Sequence, residues 1–196
     1  MRVLMIAPPG AGKGTQGAVV AEHFGLDRIT IGDLLRRNVA EDTELGRRVQ
    51  PTLARGELVP DDIVLELTRQ GLAAAKAAGR GYVLDGVPRT MAQALAAYRI
   101  GLRLRMTADV ALHLAADDDE LLRRLLNRAG TEHRADDNEP VIRQRLRFYR
   151  EVTEPVLQFY ARRRILLTVD AQRPLEAVSA DVIAALRERA AGLAPR

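Results

Sequence analysis

Val3-Leu4-Met5-Ile6-Ala7-Pro8-Pro9-Gly10-Ala11-Gly12-Lys13-Gly14-Thr15-Gln16 leaves an apolar run, passes through a glycine-rich turn and ends on a lysine and a threonine. An apolar helix pattern comes directly after it (Val19, Val20, Phe24). A strand that turns into a helix through small residues lets backbone N–H groups converge on phosphate oxygens. The positive end of the helix dipole points at the same place. Gly10, Ala11, Gly12, Lys13, Gly14 and Thr15 are therefore candidates for holding a polyphosphate, with Lys13 as a mobile cation for the β- and γ-phosphates. A phosphate loop of this kind usually opens with glycine; here Ala7 stands in that place. Because Pro8 comes next, residue 7 belongs in the extended region, where alanine is comfortable.

Working outward, 196 residues suit one compact domain with a sizeable core, and the 47% hydrophobic, 29% charged composition is that of a globular protein. No apolar run reaches membrane-spanning length, and Arg2 precedes only a short strand-like run, so a signal peptide is not expected. The absence of cysteine excludes disulfides and thiolate-bound zinc. The expectation is a soluble, cytoplasmic protein. The net charge of +4 comes from arginines; Lys13 and Lys76 are the only lysines, and few aromatics are present to stack on bases. Nucleic acid is therefore not the expected partner. His23, His113 and His133 have neither metal spacing nor a nucleophile beside them. Asp117-Asp118-Asp119-Glu120 reads as the acidic start of a helix.

Short apolar runs alternate with longer amphipathic stretches, the pattern of a parallel sheet with crossover helices. Strands are predicted at Val3–Ala7, Arg28–Ile31, Tyr82–Leu84, Val110–Leu114 and Ile165–Val169. Helices are predicted near Lys13–Phe24, Gly32–Ala40, Leu45–Ala54, Asp61–Ala78, Thr90–Tyr98, Asp118–Asn127, Pro140–Arg162 and Leu175–Arg189. In such sheets ligands sit beyond the carboxyl ends of the strands. The glycine loop, Asp85-Gly86 and Asp170 all fall at such ends.

Further motifs come in order: Thr30-Ile31-Gly32-Asp33-Leu34-Leu35-Arg36, Gly56-Glu57-Leu58-Val59-Pro60-Asp61-Asp62, and Gly81 through Thr90 with Gln93. Arg134-Ala135-Asp136-Asp137-Asn138, Arg143-Gln144-Arg145 and Asp170-Ala171-Gln172-Arg173-Pro174 complete the series. Taken with the glycine loop, they resemble the adenylate kinases, within the nucleoside monophosphate kinases, across essentially the whole chain.

The resemblance implies an α/β, three-layer fold like that of the P-loop nucleoside triphosphate hydrolases, with a five-stranded parallel sheet flanked by helices. It implies one kinase domain: a core of residues 1–29, 60–126 and 138–196, an AMP-binding insertion at 30–59 and a short lid at 127–137. That lid has no room for a zinc-binding subdomain. The implied reaction is ATP + AMP ⇌ 2 ADP with Mg²⁺, carried out by a monomer. Lys13, Arg89, Arg124, Arg128, Arg134 and Arg145 would be catalytic. ATP would meet Gly10 through Thr15, Arg124, Arg128 and the Arg173 backbone. AMP would meet Ile31, Arg36, Glu57, Leu58, Val59, Gly86, Val87, Pro88, Arg89, Gln93, Arg134 and Arg145, with Gln93 reading the adenine edge. Asp85 and Asp33 would act on Mg²⁺ through its waters, Asp33 having local turn support as its other reading.

The chemistry accounts for these residue types. An acceptor phosphate oxygen is already anionic, so no general base is required; positioning and charge neutralisation are. Arginine supplies a permanent, forked cation for that purpose. The chain departs from the family pattern at several places. Ile31 replaces a threonine that helps recognise the base, and Val87 an aromatic beside the acceptor. Asn127 and Ala171 replace glycines. These changes keep open an acceptor such as CMP or UMP, or a weakly active nucleotide-binding sensor.

Overall fold

A computed structural model describes residues 1–132 and 138–192, with residues 128–132 described by backbone alone. Five strands, β1 (Arg2–Ile6), β2 (Asp27–Thr30), β3 (Tyr82–Asp85), β4 (Val110–Ala115) and β5 (Leu166–Asp170), form one sheet in the order β2-β3-β1-β4-β5. Every pairing is parallel. The chain steps from β1 outward to β2, returns through β3, then crosses β1 to reach β4. The strand order therefore reverses around β1, where the glycine loop emerges.

A parallel sheet needs both faces covered, and the strand residues alternate accordingly. Leu4, Ile6, Ile29, Tyr82 and Leu84 enter one buried cluster; Val3, Met5, Val83, Leu112 and Leu114 enter the other. On the first face lie α4 (Asp61–Ala77), α5 (Met91–Leu104) and α8 (Val156–Arg162), contributing Leu72, Ala94, Ala97 and Phe159. On the second lie α1 (Lys13–Phe24), α6 (Asp118–Glu132) and α9 (Leu175–Ala191), contributing Val20, Leu121, Leu125, Val182 and Leu186. This is the three-layer arrangement expected. Among the described residues no helix is long and apolar enough to cross a membrane.

Between β2 and α4 the chain makes a helical excursion, α2 (Ile31–Ala40) and then α3 (Glu44–Ala54). Thr43 caps α3 by accepting from the Gly46 N–H at 2.9 Å, while its own hydroxyl donates to Asn38 Oδ1 at 2.8 Å. That pair of bonds sets the corner between the two helices.

The larger differences from the sequence expectation are at element boundaries. Ile31 opens α2 instead of closing a strand, and α5 runs past Tyr98 to Leu104. Helix α6 continues past Asn127 to Glu132. The stretch read as one helix from Pro140 to Arg162 is divided. It contains α7 (Glu139–Phe148), a π-turn at Tyr149–Thr153, and α8. The apolar spacing carries straight through this division although the two halves enter different clusters, Ile142 and Leu146 the second, and Tyr149, Val156 and Phe159 the first.

Candidate active site

The first anion-binding element is built from the loop upward. Gly10 (φ +87°) and Gly12 (φ +80°) take left-handed backbone that side chains resist. Ala11 N–H donates to the Pro8 carbonyl at 3.3 Å and Gln16 N–H to the Gly12 carbonyl at 2.9 Å, closing the turn into α1. The first N–H groups of a helix lack partners within it, so the start of α1 offers donors to an anion. Ala7 has no positive φ and packs, 7% exposed, with Val3 and Met5. Its backbone is the ordinary kind expected before proline.

Lys13, the first residue of α1, places Nζ 2.9 Å from Asp85 Oδ1 at the end of β3. The two meet because Asp85 lies beside Met5 of β1 in the sheet register. The ion pair holds the ammonium over the loop while keeping the buried Asp85 carboxylate compensated.

These groups open into a cavity of about 860 Å³ at the carboxyl ends of the strands. It is lined by six described cations, Lys13, Arg28, Arg36, Arg89, Arg124 and Arg145, against three carboxylates, Asp33, Glu57 and Asp85. The excess positive charge marks a ligand that carries several negative charges.

Each arginine is delivered by a different element. Arg36 on α2 bonds Asp33 Oδ1 at 2.5 Å, and Arg28 of β2 stands 3.9 Å from the other carboxylate oxygen. Asp33 thus has arginine partners, in keeping with its reading as local support. Arg89 precedes α5 and donates through Nε to the Gly86 carbonyl at 3.2 Å, across a loop with a cis Val87–Pro88 bond. Arg124 on α6 donates Nε to Glu120 at 2.6 Å and Nη1 to the Ala171 carbonyl at 2.8 Å. Arg123 and Arg124 together pull the Glu120 carboxyl down to about 2, so it stays ionised and keeps Arg124 aimed. Arg145 on α7 lines the same cavity. Glu57, held below the usual carboxylate range by its bonds to Arg55, joins Leu58, Gly86 and Pro88 along the wall.

Other expected residues lie elsewhere. Ala11 (2% exposed), Ile31 (2%), Val59 (5%) and Val87 (1%) are core residues outside the cavity lining. Gln93 is also buried, at 1%; it donates to Asp61 Oδ1 at 2.7 Å and accepts from the Arg89 N–H at 2.8 Å. Arg173 pairs with Asp181 on α9 and does not line the cavity. Arg128 falls where α6 is described by backbone alone, and Arg134 lies outside the described residues.

Arg28, Phe148, Tyr149 and Thr153 line the cavity without having been expected to. Arg28 sits in an alternating strand pattern that signals only an exposed edge. Phe148 ends α7, and Tyr149 and Thr153 lie in the π-turn that interrupts a stretch reading as continuous helix.

Residues 5–165 match the family model described as adenylate kinase. The adenylate kinase of Thermobifida fusca is 43% identical over 190 residues, 97% of this chain and 100% of its own length. That of Thermus thermophilus is 44% identical over 188 residues, 94% of this chain and 96% of its own. That of Kocuria rhizophila is 45% identical over 185 residues, 94% and 98% respectively. With a match of this length, and relatives this similar end to end, the chain belongs to the adenylate kinase family.

Proposed function

We propose that the chain transfers the γ-phosphoryl group of Mg-ATP to AMP, giving two ADP, at the 860 Å³ cavity. The observation that carries this reading is the convergence of Lys13, Arg36, Arg89, Arg124 and Arg145 beside the glycine loop. Two anionic groups approach each other in this reaction, and fixed cations from separate elements offset their repulsion without reorganising.

The donor phosphates are assigned to Gly10, Ala11, Gly12, Lys13, Gly14 and Thr15, and the ATP side also to Arg124, Arg128 and the Arg173 backbone. The acceptor is assigned to Arg36, Arg89 and the Glu57–Val59 segment, with Gly86, Val87 and Pro88 in the adjoining loop. Ile31 and Gln93 belong to the same side, behind that wall. Arg134 and Arg145 are assigned to the transferring group. Residues 30–59 are assigned to the acceptor-binding insertion and 127–137 to the lid, which would keep water from a reaction that hydrolysis would otherwise waste.

Magnesium fits this donor set. Among the described residues no three His, Cys, Asp or Glu side chains come together as a cage. Asp85, already paired with Lys13, is the carboxylate best placed to accept hydrogen bonds from the waters magnesium keeps. Asp33, which lines the same cavity and is bonded to Arg36, is the second candidate. The ion, when bound with ATP, neutralises phosphate charge; the chain itself supplies orientation and the remaining cations.

The test is initial-rate ADP formation from Mg-ATP with AMP, CMP, UMP or GMP, beside Arg89→Ala. Turnover with AMP, lost in the variant, supports the reading. Preference for another monophosphate reassigns the acceptor, and binding without turnover of any leaves a sensor.

A further inference from the structure

Threonine hydroxyls inside helices usually return to their own helix, bonding the carbonyl four residues back. Thr68 on α4 does so, donating to the Val64 carbonyl at 2.8 Å. Thr153, also buried, does not. The corresponding carbonyl, Tyr149 O, is taken by the Glu154 N–H at 2.8 Å, the five-residue bond of the π-turn. The Thr153 hydroxyl instead donates to the Arg89 carbonyl at 2.9 Å, across 64 residues of sequence.

Arg89 is therefore gripped on both of its main-chain polar groups. Its N–H goes to the buried Gln93 carboxamide, itself tied to Asp61; its carbonyl goes to Thr153. The two grips come from separate elements, one from Gln93 on α5 and one from the π-turn that follows α7. The π-turn is in turn bolted to the sheet. Tyr149 Oη lies 2.9 Å from His113 Nε2 in β4, and Arg150 bonds Asp118 at the start of α6 at 2.7 Å. A π-turn at such a junction rotates the next helical segment relative to a continuous α-helix, and such bulges recur at functional sites.

We propose that Thr153 is a positioning residue for the acceptor phosphate: through the Arg89 carbonyl it sets the main chain from which the Arg89 guanidinium reaches into the cavity. Arg145 is carried by α7, directly before the π-turn, so the same bond sets the two arginines relative to each other. The proposal rests on Arg89 serving the acceptor phosphate, as inferred above. Thr153 acts through Arg89 and requires no contact with substrate.

The experiment compares Thr153→Val, which keeps the shape and removes the donor, with Thr153→Ser, which keeps the donor, and with Thr153→Ala should the valine variant fold poorly. Three quantities are read: KM for AMP, KM for ATP, and amide hydrogen exchange over residues 86–94. Thr153→Val is expected to raise KM for AMP by about three- to tenfold, the equivalent of one hydrogen bond. KM for ATP stays within about twofold, exchange over 86–94 rises, and serine restores both AMP KM and protection. Equal loss toward AMP and ATP overturns the proposal. So does lowered thermal stability with AMP KM and exchange unchanged, or failure of serine to restore them. If the unaltered protein turns over no AMP, the acceptor assignment fails instead, and the exchange comparison alone decides whether Thr153 holds the Arg89 segment.

Discussion

Replacing Gly10 by alanine separates two costs that the structure assigns differently along the phosphate loop. At φ +87° any side chain pays for left-handed backbone, about 1–3 kcal/mol. A Cβ at this position would also stand 3.0 Å from the Leu121 carbonyl oxygen and 3.0 Å from Leu125 Cγ. Both neighbours belong to α6 and sit in packed surroundings, so the contact adds an overpacking cost of about 1–3 kcal/mol. Gly12, at φ +80°, has nothing within 4 Å of such a Cβ and carries the backbone cost alone. Gly25, at φ +62° beyond the far end of α1, is equally open and remote from the cavity. Thermal unfolding of the three alanine variants should therefore place Gly10→Ala below Gly12→Ala by roughly 2–12 °C, from about 1–3 kcal/mol of overpacking at about 2–4 °C per kcal/mol for this chain length. In initial-rate assays Gly10→Ala and Gly12→Ala raise KM for ATP, because the loop N–H groups turn away from the phosphates, while Gly25→Ala leaves it unchanged. If Gly10→Ala is no less stable than Gly12→Ala, the close packing of the loop against α6 does not restrict it, and the reasoning fails. Altered ATP kinetics in Gly25→Ala would equally refute the assignment of the effect to the loop.

Three other outcomes are expected. Arg89→Ala should lower kcat/KM for AMP by about 10²- to 10³-fold with the fold retained by circular dichroism, the scale of losing one preorganised charge-stabilising donor. Glu120→Gln removes the charge that aims Arg124 and should raise KM for ATP by about two- to fivefold without altering KM for AMP, which steady-state titration of each nucleotide separates. Burial holds the His113 imidazole below its usual 6.5, with Glu154 opposing and Arg150 assisting. The unfolded chain then binds the proton more readily, so stability falls as pH drops below about 6.5 toward the lowered native value, by at most about 1.4 kcal/mol per pH unit. Urea unfolding of the unaltered protein and His113→Gln, compared from pH 8 to 5, should show a constant difference above about pH 7 that shrinks below it. A pH-independent difference would mean that His113 titrates alike in both states.

The sheet and its order of helices were legible because their causes are local. Short runs such as the apolar Val3–Ile6 and the mostly apolar Val110–Leu114, broken only by His113, read as buried parallel strands, and Gly10-Ala11-Gly12-Lys13 specifies a turn whose backbone geometry few other residues accept. Arg36, Arg89, Arg124 and Arg145 were expected from the resemblance to the adenylate kinases, and all four line one cavity. Gln93 and Ile31 show the limit. Both sit where a base reader would be sought, yet Gln93 spends its carboxamide on Asp61 and Arg89, and Ile31 is sealed into the core. Which way a side chain faces depends on neighbours dozens of residues away.

By itself, then, the sequence determined the elements, the phosphate loop and the inventory of cations, since propensity, periodicity and turn chemistry act within a few residues. Tertiary structure alone decided which of those cations share a cavity, that Lys13 leans on Asp85, and that Thr153 bonds Arg89. A hydrogen bond or an ion pair forms only between groups brought within about 3–4 Å. For residues 64 positions apart, that distance is set by the packing of the whole sheet.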